Sequence, residues 1–92
     1  MRVELIGYLK AEAGSEYVEV KVGGGVGLVE ALKMLPEKVR KHVIDEETGK
    51  PVSGLLILVN GSEVKLSQVY GVKVNEDDII TLIPAIHGGC GR

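Results

Sequence analysis

Over residues 2–9 polar and apolar positions first alternate, as Arg2, Val3, Glu4 and Leu5, and lose that strictness at Ile6. The pattern predicts a first strand that becomes buried on both faces. Residues 16–22 alternate more cleanly, with Val18, Val20 and Val22 on one side and Glu19 and Lys21 on the other. With Ala13-Gly14-Ser15 read as a short connection, the two strands form an antiparallel hairpin. After Gly23-Gly24-Gly25 the period lengthens: Leu28, Leu32 and Leu35 fall at i, i+4 and i+7 with Ala31 beside them, which predicts a helix packing one stripe on the sheet. Pro36 ends it, and Val39 and Val43, one turn apart, mark a second helical piece over 37–44 that is too short to be stable undocked.

The stretch Asp45-Glu46-Glu47-Thr48-Gly49-Lys50-Pro51 reads as a surface loop. The continuous apolar run Leu55-Leu56-Ile57-Leu58-Val59 predicts a strand buried on both faces. Asn60-Gly61 is a two-residue hairpin turn, because both positions accept positive φ, and residues 62–66 return as a short strand. Residues 67–74 form a connection with a short turn of helix. Asn75-Glu76-Asp77-Asp78 makes a turn, and Ile79 to Ile83 supplies a last strand placed inside the sheet beside the first. The order is two strands, one or two helices and three more strands, an α+β class, with neither an internal repeat nor an interdomain linker.

The 92 residues fit one domain, and a 45% hydrophobic share with only 3% aromatics leaves Val, Ile and Leu to form the core. This inventory argues against a small-molecule pocket or a base-stacking platform. A formal net charge of -2, with both signs interspersed, gives no field for nucleic acid. Lys38, Arg40 and Lys41 read as a solvated helix face. A single cysteine excludes an internal disulfide. Neither a leader nor an apolar run of about 18 residues is present, so neither secretion nor membrane spanning is expected and the cytoplasm is the default compartment.

The chemistry concentrates at the end of the chain. Pro84 stops the last strand, and Ala85-Ile86-His87-Gly88-Gly89 follow, with only Cys90-Gly91-Arg92 beyond. A Gly-Gly pair threads passages too narrow for other residues. Five extended residues reach about 17 Å, enough to deliver a carbonyl into a partner's buried site while the body stays outside. Residues 1–84 are therefore read as the folded domain and 85–92 as a flexible tail.

The chain resembles the β-grasp, ubiquitin-like sulfur carriers: the small subunit of molybdopterin synthase (MoaD), which it resembles most, its thiamine-pathway relative ThiS, and the archaeal small modifier proteins. The resemblance covers nearly the whole chain and rests on the opening two strands, Val29-Glu30-Ala31-Leu32, Ile57-Leu58-Val59-Asn60-Gly61, the Asn75-Glu76-Asp77-Asp78 turn before Ile79, and Ile83-Pro84-Ala85-Ile86-His87-Gly88-Gly89. It implies a β-grasp fold, a mixed sheet of four to five strands with one or two helices on one face.

It also implies a carrier rather than an enzyme. A separate activating enzyme would use ATP and Mg²⁺ to adenylate Gly89, with Gly88 letting it enter, and sulfur transfer would then yield a thiocarboxylate for molybdopterin-type cofactor, thiamine or tRNA. The chain itself would bind no cofactor and no metal. Further partners would be a large synthase subunit or a thiazole synthase, and the free chain would be a monomer. Conjugation of Gly89 to target lysines is the alternative fate.

The chain departs from the mature family pattern in one respect, because Cys90-Gly91-Arg92 locks Gly89 in an amide. The expectation is a zinc-dependent peptidase cutting at the Gly89-Cys90 junction. Docking of the body should use an apolar patch near the tail, with Ile83 and Ile86 best placed and Val64 a weaker candidate. Burying about 400 Å² at about 25 cal/mol per Å² would offset much of the 1 to 2 kcal/mol per residue spent in ordering the tail.

Plainer readings stand beside these. Chain ends are often loose, so a β-grasp interaction module with an inert tail would also carry a diglycine. Cys90 would be a redox or conjugating thiol only with a lowered pKa, for which His87 is the sole neighbour. His87 and Cys90 fall short of the four ligands of structural zinc. His42 reads as a surface residue. Gly23-Gly24-Gly25-Val26-Gly27 lacks the Lys-Ser/Thr of a phosphate loop and is explained as a bend between strand and helix.

Overall fold

A computed structural model describes residues 1–84; the sequence expectations for Ile86, His87, Gly88, Gly89 and Cys90 lie outside the described residues. Five strands form one mixed sheet: β1 (Arg2–Leu5), β2 (Tyr17–Glu19), β4 (Leu55–Val59), β5 (Ser62–Val64) and β7 (Ile79–Pro84). Their spatial order is β2-β1-β7-β4-β5, and a small separate ladder joins β3 (Val26–Gly27) to β6 (Lys73–Val74). As the sequence pattern predicts, β7 lies beside β1. The two run parallel, with Arg2 opposite Ile79 and Leu5 opposite Leu82, and β7 also pairs antiparallel with β4. Paired on both sides, β7 is the central strand of the sheet.

Three short helices, α1 (Tyr8–Ala13), α2 (Leu28–Leu32) and α3 (Glu37–Arg40), and a 3-10 helix (Leu66–Gly71) complete the fold. Strand parity divides each strand between two environments. Val3, Leu5, Ile57, Ile80 and Leu82 are fully buried and join Leu28, Ala31, Leu32, Leu35, Val39 and Val43 in one core. The stripe predicted at 28, 31, 32 and 35 is the buried one, although regular helix ends at Leu32. Backbone bonds from His42, Val43 and Ile44 to Val39 and Arg40 carry the turn after α3 on to Ile44 and place Val43 in the core.

The opening strand is shorter than the alternation suggests, and the two-strand connection is longer. Gly7, at φ 65 and ψ -138, turns the chain out of β1, and Tyr8–Ala13 forms a helix instead of continuing the strand. These six residues include two Ala, Leu, Lys and Glu, all strong helix formers, and Leu9 buries the helix in the core. Gly14, in the left-handed conformation, closes the helix by donating its N–H to the Lys10 and Ala11 carbonyls. The pairing of β1 with β2 is antiparallel as expected, but a helix rather than a tight turn joins them.

The run Leu55–Val59 is not buried on both faces. Leu55 and Ile57 face the core, while Leu56 is 36% exposed and Leu58 is half-buried. No second layer covers that side of the sheet among the described residues. The connection over 67–74 holds the 3-10 helix and β6, whose two-residue ladder with β3 leaves no recognisable period.

Two side-chain straps hold the end of the sheet opposite Pro84. Asn60, at φ 51, makes the β4–β5 turn, donates from Nδ2 to Asp78 Oδ1 at 2.9 Å, and accepts the Ile79 N–H on Oδ1 at 2.9 Å. Asp78 also accepts the Asn75 N–H, and the Asn60 bond is the main cause holding its carboxyl below the usual range. Glu76 accepts the N–H groups of Gly23 at 2.6 Å and Val22 at 2.7 Å, which lower its pKa, and lies 3.3 Å from the Met1 amino group. The Asn60-Gly61 and Asn75-Glu76-Asp77-Asp78 motifs are thus parts of one joint that starts β7 in register.

Candidate functional site

Pro84 is the last residue of the central strand and sits opposite Leu55 of β4. The two faces of the sheet around it differ. On the uncovered face, Ile83 lies opposite Leu56, and Ile6, whose N–H donates to the Leu82 carbonyl, continues the β1–β7 pairing. Ile6 is 44% exposed and Ile83 half-buried. Ile6, Ile83 and Leu56 therefore make an apolar row across three strands at the end of the sheet where residue 85 begins. One step back along the strands the row turns mixed, with Glu4, Thr81, Leu58 and Glu63 side by side by register. Beyond that stand Arg2 and Ile79, with Arg2 over the Tyr17 ring at 4.2 Å and 3.5 Å from Glu19 Oε2. The face thus grades from apolar near Pro84 to charged at the far end.

On the helix-covered face a cavity of about 130 Å³ lies against Pro84, lined also by Tyr8, His42, Ser53 and Leu55. His42 is not a plain surface residue. Tyr8 meets its ring edge-on at 5.3 Å, its Nε2 lies 3.7 Å from Glu12 Oε1, and that nitrogen is buried without a hydrogen bond among the described residues. The contact joins α1 to the turn after α3 beside the strand end, which explains why His42 is half-buried.

Of the residues expected to meet a partner, Ile83 takes the uncovered face. Val64 does not share it. Its register partner is the fully buried Ile57, and Val64 packs against the core on the opposite side. The Asn60-Gly61 turn carries this information in the sequence, since a two-residue loop ties Val64 to the parity of Ile57. Ile6 and Leu56 are not found by sequence pattern alone: alternation puts Ile6 inside a longer strand, and Leu56 hides in a uniformly apolar run. No group of three or more His, Cys, Asp or Glu among the described residues is placed to hold a metal. No helix among them is long and apolar enough to cross a membrane.

Together, the mixed sheet with a central parallel β1–β7 pair, helices on one face and the chain leaving from the middle strand define a β-grasp fold. No protein-family model matches the chain, and no curated protein does. Solved structures do. Urm1 of Sulfolobus solfataricus is 31% identical with a TM-score of 0.69, the match covering 91% of this chain and 99% of that one. SAMP1 of Haloferax volcanii is 25% identical with a TM-score of 0.75, covering 97% and 98%. A chain of the BexX/CysO complex of Amycolatopsis orientalis, 23% identical with a TM-score of 0.72 over 96% and 98%, shares the fold. The chain belongs to the β-grasp, ubiquitin-like family of sulfur carriers and small archaeal modifiers.

Proposed function

We propose that this chain is a sulfur carrier whose Gly89, exposed by removal of Cys90-Gly91-Arg92, is adenylated by a separate activating enzyme with ATP and Mg²⁺ and then converted to a thiocarboxylate. The chemical need is general: a carboxylate is a poor electrophile until one oxygen becomes part of a good leaving group. The carboxylate displaces pyrophosphate from ATP, and a sulfur nucleophile then displaces AMP. The chain acts as substrate and carrier, and the activating site belongs to the partner.

The observation that carries this reading is positional. In this family member the diglycine follows the end of the central strand by four and five residues, and that strand end borders the apolar row of Ile6, Ile83 and Leu56. A partner docking on that row, with Ile86 a further contact, would lie within the reach of about 17 Å that the tail allows Gly89. A large synthase subunit or a thiazole synthase would be received on the same face, and molybdopterin-type cofactor, thiamine or tRNA would be the destination of the sulfur.

The test uses a chain ending at Gly89, which retains every described element, incubated with ATP and the activating enzyme of the source cell. Acyl-adenylate is expected, and on addition of sulfide as the nucleophile that displaces AMP, the mass of one oxygen exchanged for sulfur; an unmodified chain contradicts the reading. Trimming is checked separately by intact mass after incubation of the full chain in lysate of that cell. Loss of Cys-Gly-Arg to a zinc-dependent peptidase is expected, and a stable full-length mass in cells removes the processing step.

Conjugation to target lysines is the second reading, favoured by the likeness to a protein named a small archaeal modifier. A Gly-Gly remnant on lysines of other proteins would identify it. An interaction module with an inert tail predicts that deletion of residues 88–92 leaves function intact, and a thiol enzyme predicts that Cys90→Ser abolishes it.

A further inference from the structure

The last residue of the central strand is held from three directions. Leu55 pairs with Pro84 across the β4–β7 ladder. Gly7 neighbours the ring from the β1 side: a side-chain Cβ at this position would meet Pro84 Cγ at 3.4 Å and Cδ at 3.8 Å, ordinary van der Waals distances. Tyr8, the first residue of α1, lines with Pro84 the cavity on the helix side. Gly7 can make this approach because of its conformation: φ 65 with ψ -138 is open to glycine and strained for every L-residue. The same turn sends the chain from β1 into α1, with the Lys10 N–H donating to the Gly7 carbonyl. Pro84 adds its own constraint, because its ring fixes φ. It is buried although it ends a strand.

We infer that Gly7 and Pro84 form a positioning clamp that sets where, and in which direction, the chain beyond residue 84 leaves the sheet. The inference rests on the proposed role of Gly89 as the reacting acyl group and adds the residues that aim it. A docked body can present its reacting carbonyl productively only if the root of the tail is fixed relative to the docking face. Here the root is wedged between the β1 exit and α1, while the docking row of Ile6, Ile83 and Leu56 lies on the other face of the same strands. Docking and aiming are therefore carried by different residues. A change in the clamp should alter the chemical step and leave association as it was. Gly7 and Pro84 are positioning residues in this scheme, since neither touches the reacting atoms.

Two measurements test it. In the full chain, a nuclear Overhauser contact between the Gly7 Hα protons and the Pro84 ring protons is expected, and its absence overturns the clamp whatever the chemistry of the tail. With the chain ending at Gly89, the activating enzyme and ATP, pyrophosphate release is followed against carrier concentration. Pro84→Ala, which removes the ring without straining Gly7, should keep a cooperative unfolding transition and a KM within about twofold of wild type, while kcat falls about fivefold. Tyr70→Phe, at an exposed position of the 3-10 helix, should leave both constants unchanged. An unaltered kcat in Pro84→Ala, or a raised KM with kcat unaltered, overturns the inference. Failure of the wild-type chain to react, with the Gly7–Pro84 contact present, would instead count against the role of Gly89.

Discussion

Replacing Asn60 tests the joint that starts the central strand. Asn60 has three tasks: it holds φ at 51, its Oδ1 accepts the Ile79 N–H at 2.9 Å, and its Nδ2 donates to Asp78 at 2.9 Å. Asn60→Ala loses all three. The left-handed backbone costs an alanine about 1 kcal/mol, and the unmade bonds at a partly exposed site about 1 kcal/mol more, for a total of about 2 kcal/mol. Asn60→Gly loses the bonds but accepts the backbone, so it should cost about 1 kcal/mol. The order is the informative part, because glycine is ordinarily the less stable of the two and here it should be the more stable. Urea unfolding with unchanged m-values reads both differences as midpoints, and in a domain of this size each kcal/mol moves the melting temperature by roughly 4–8 °C. If Asn60→Ala is as stable as Asn60→Gly, the conformational argument fails. If both match wild type, the strap contributes nothing.

The other expectations concern the two faces and the second strap. Leu82→Ala, at a fully buried position of the central strand, should destabilise by about 3 kcal/mol, whereas Ile83→Ala on the uncovered face should cost under about 1 kcal/mol, both read by urea unfolding. Equal losses would contradict the one-sided core. Ile83→Asp and Leu56→Asp should each weaken binding of the activating enzyme in a titration while leaving the melting temperature close to wild type; unchanged affinity would remove the docking row. Glu76 has its carboxyl held low by the Gly23 and Val22 N–H groups. Its contribution is therefore present above the ordinary carboxylate pKa and lost as pH falls through the lowered folded value. Glu76→Gln should destabilise the domain at neutral pH and flatten its loss of stability on acidification, and a parallel pH profile for the two proteins would refute the strap.

The fold was legible where side-chain period and turn chemistry agree. The alternation that runs through β2, the leucine stripe that begins in α2 and the Asn60-Gly61 turn each point to a single local structure, and the placement of β7 next to β1 follows from connection rules. What escaped has physical reasons. Helix α1 is only six residues long, too short for a period to declare itself, and the alternation before it reads through Gly7 as though the strand went on. The signal that would have found it is the pair of glycines, Gly7 and Gly14, bracketing a run of helix formers. The ladder of β3 with β6 has two residues a side and no pattern to read. Leu55–Val59 is uniformly apolar, so composition hides which residues face the core; only register separates Ile57 from Leu56. For the same reason composition does not separate Val64 from Ile83, whereas the register of the Asn60-Gly61 turn puts Val64 with Ile57. The diglycine can be read from the sequence, while the residues around Pro84, namely Gly7, Tyr8 and Leu55, come together only through the tertiary pairing of β7.

The most direct measurement is the mass spectrum of the chain ending at Gly89 after incubation with ATP and the activating enzyme of its cell, alongside a variant bearing bulky side chains at positions 88 and 89. The account predicts acyl-adenylate on the first chain and none on the second. Equal modification of both, or of neither, would contradict it.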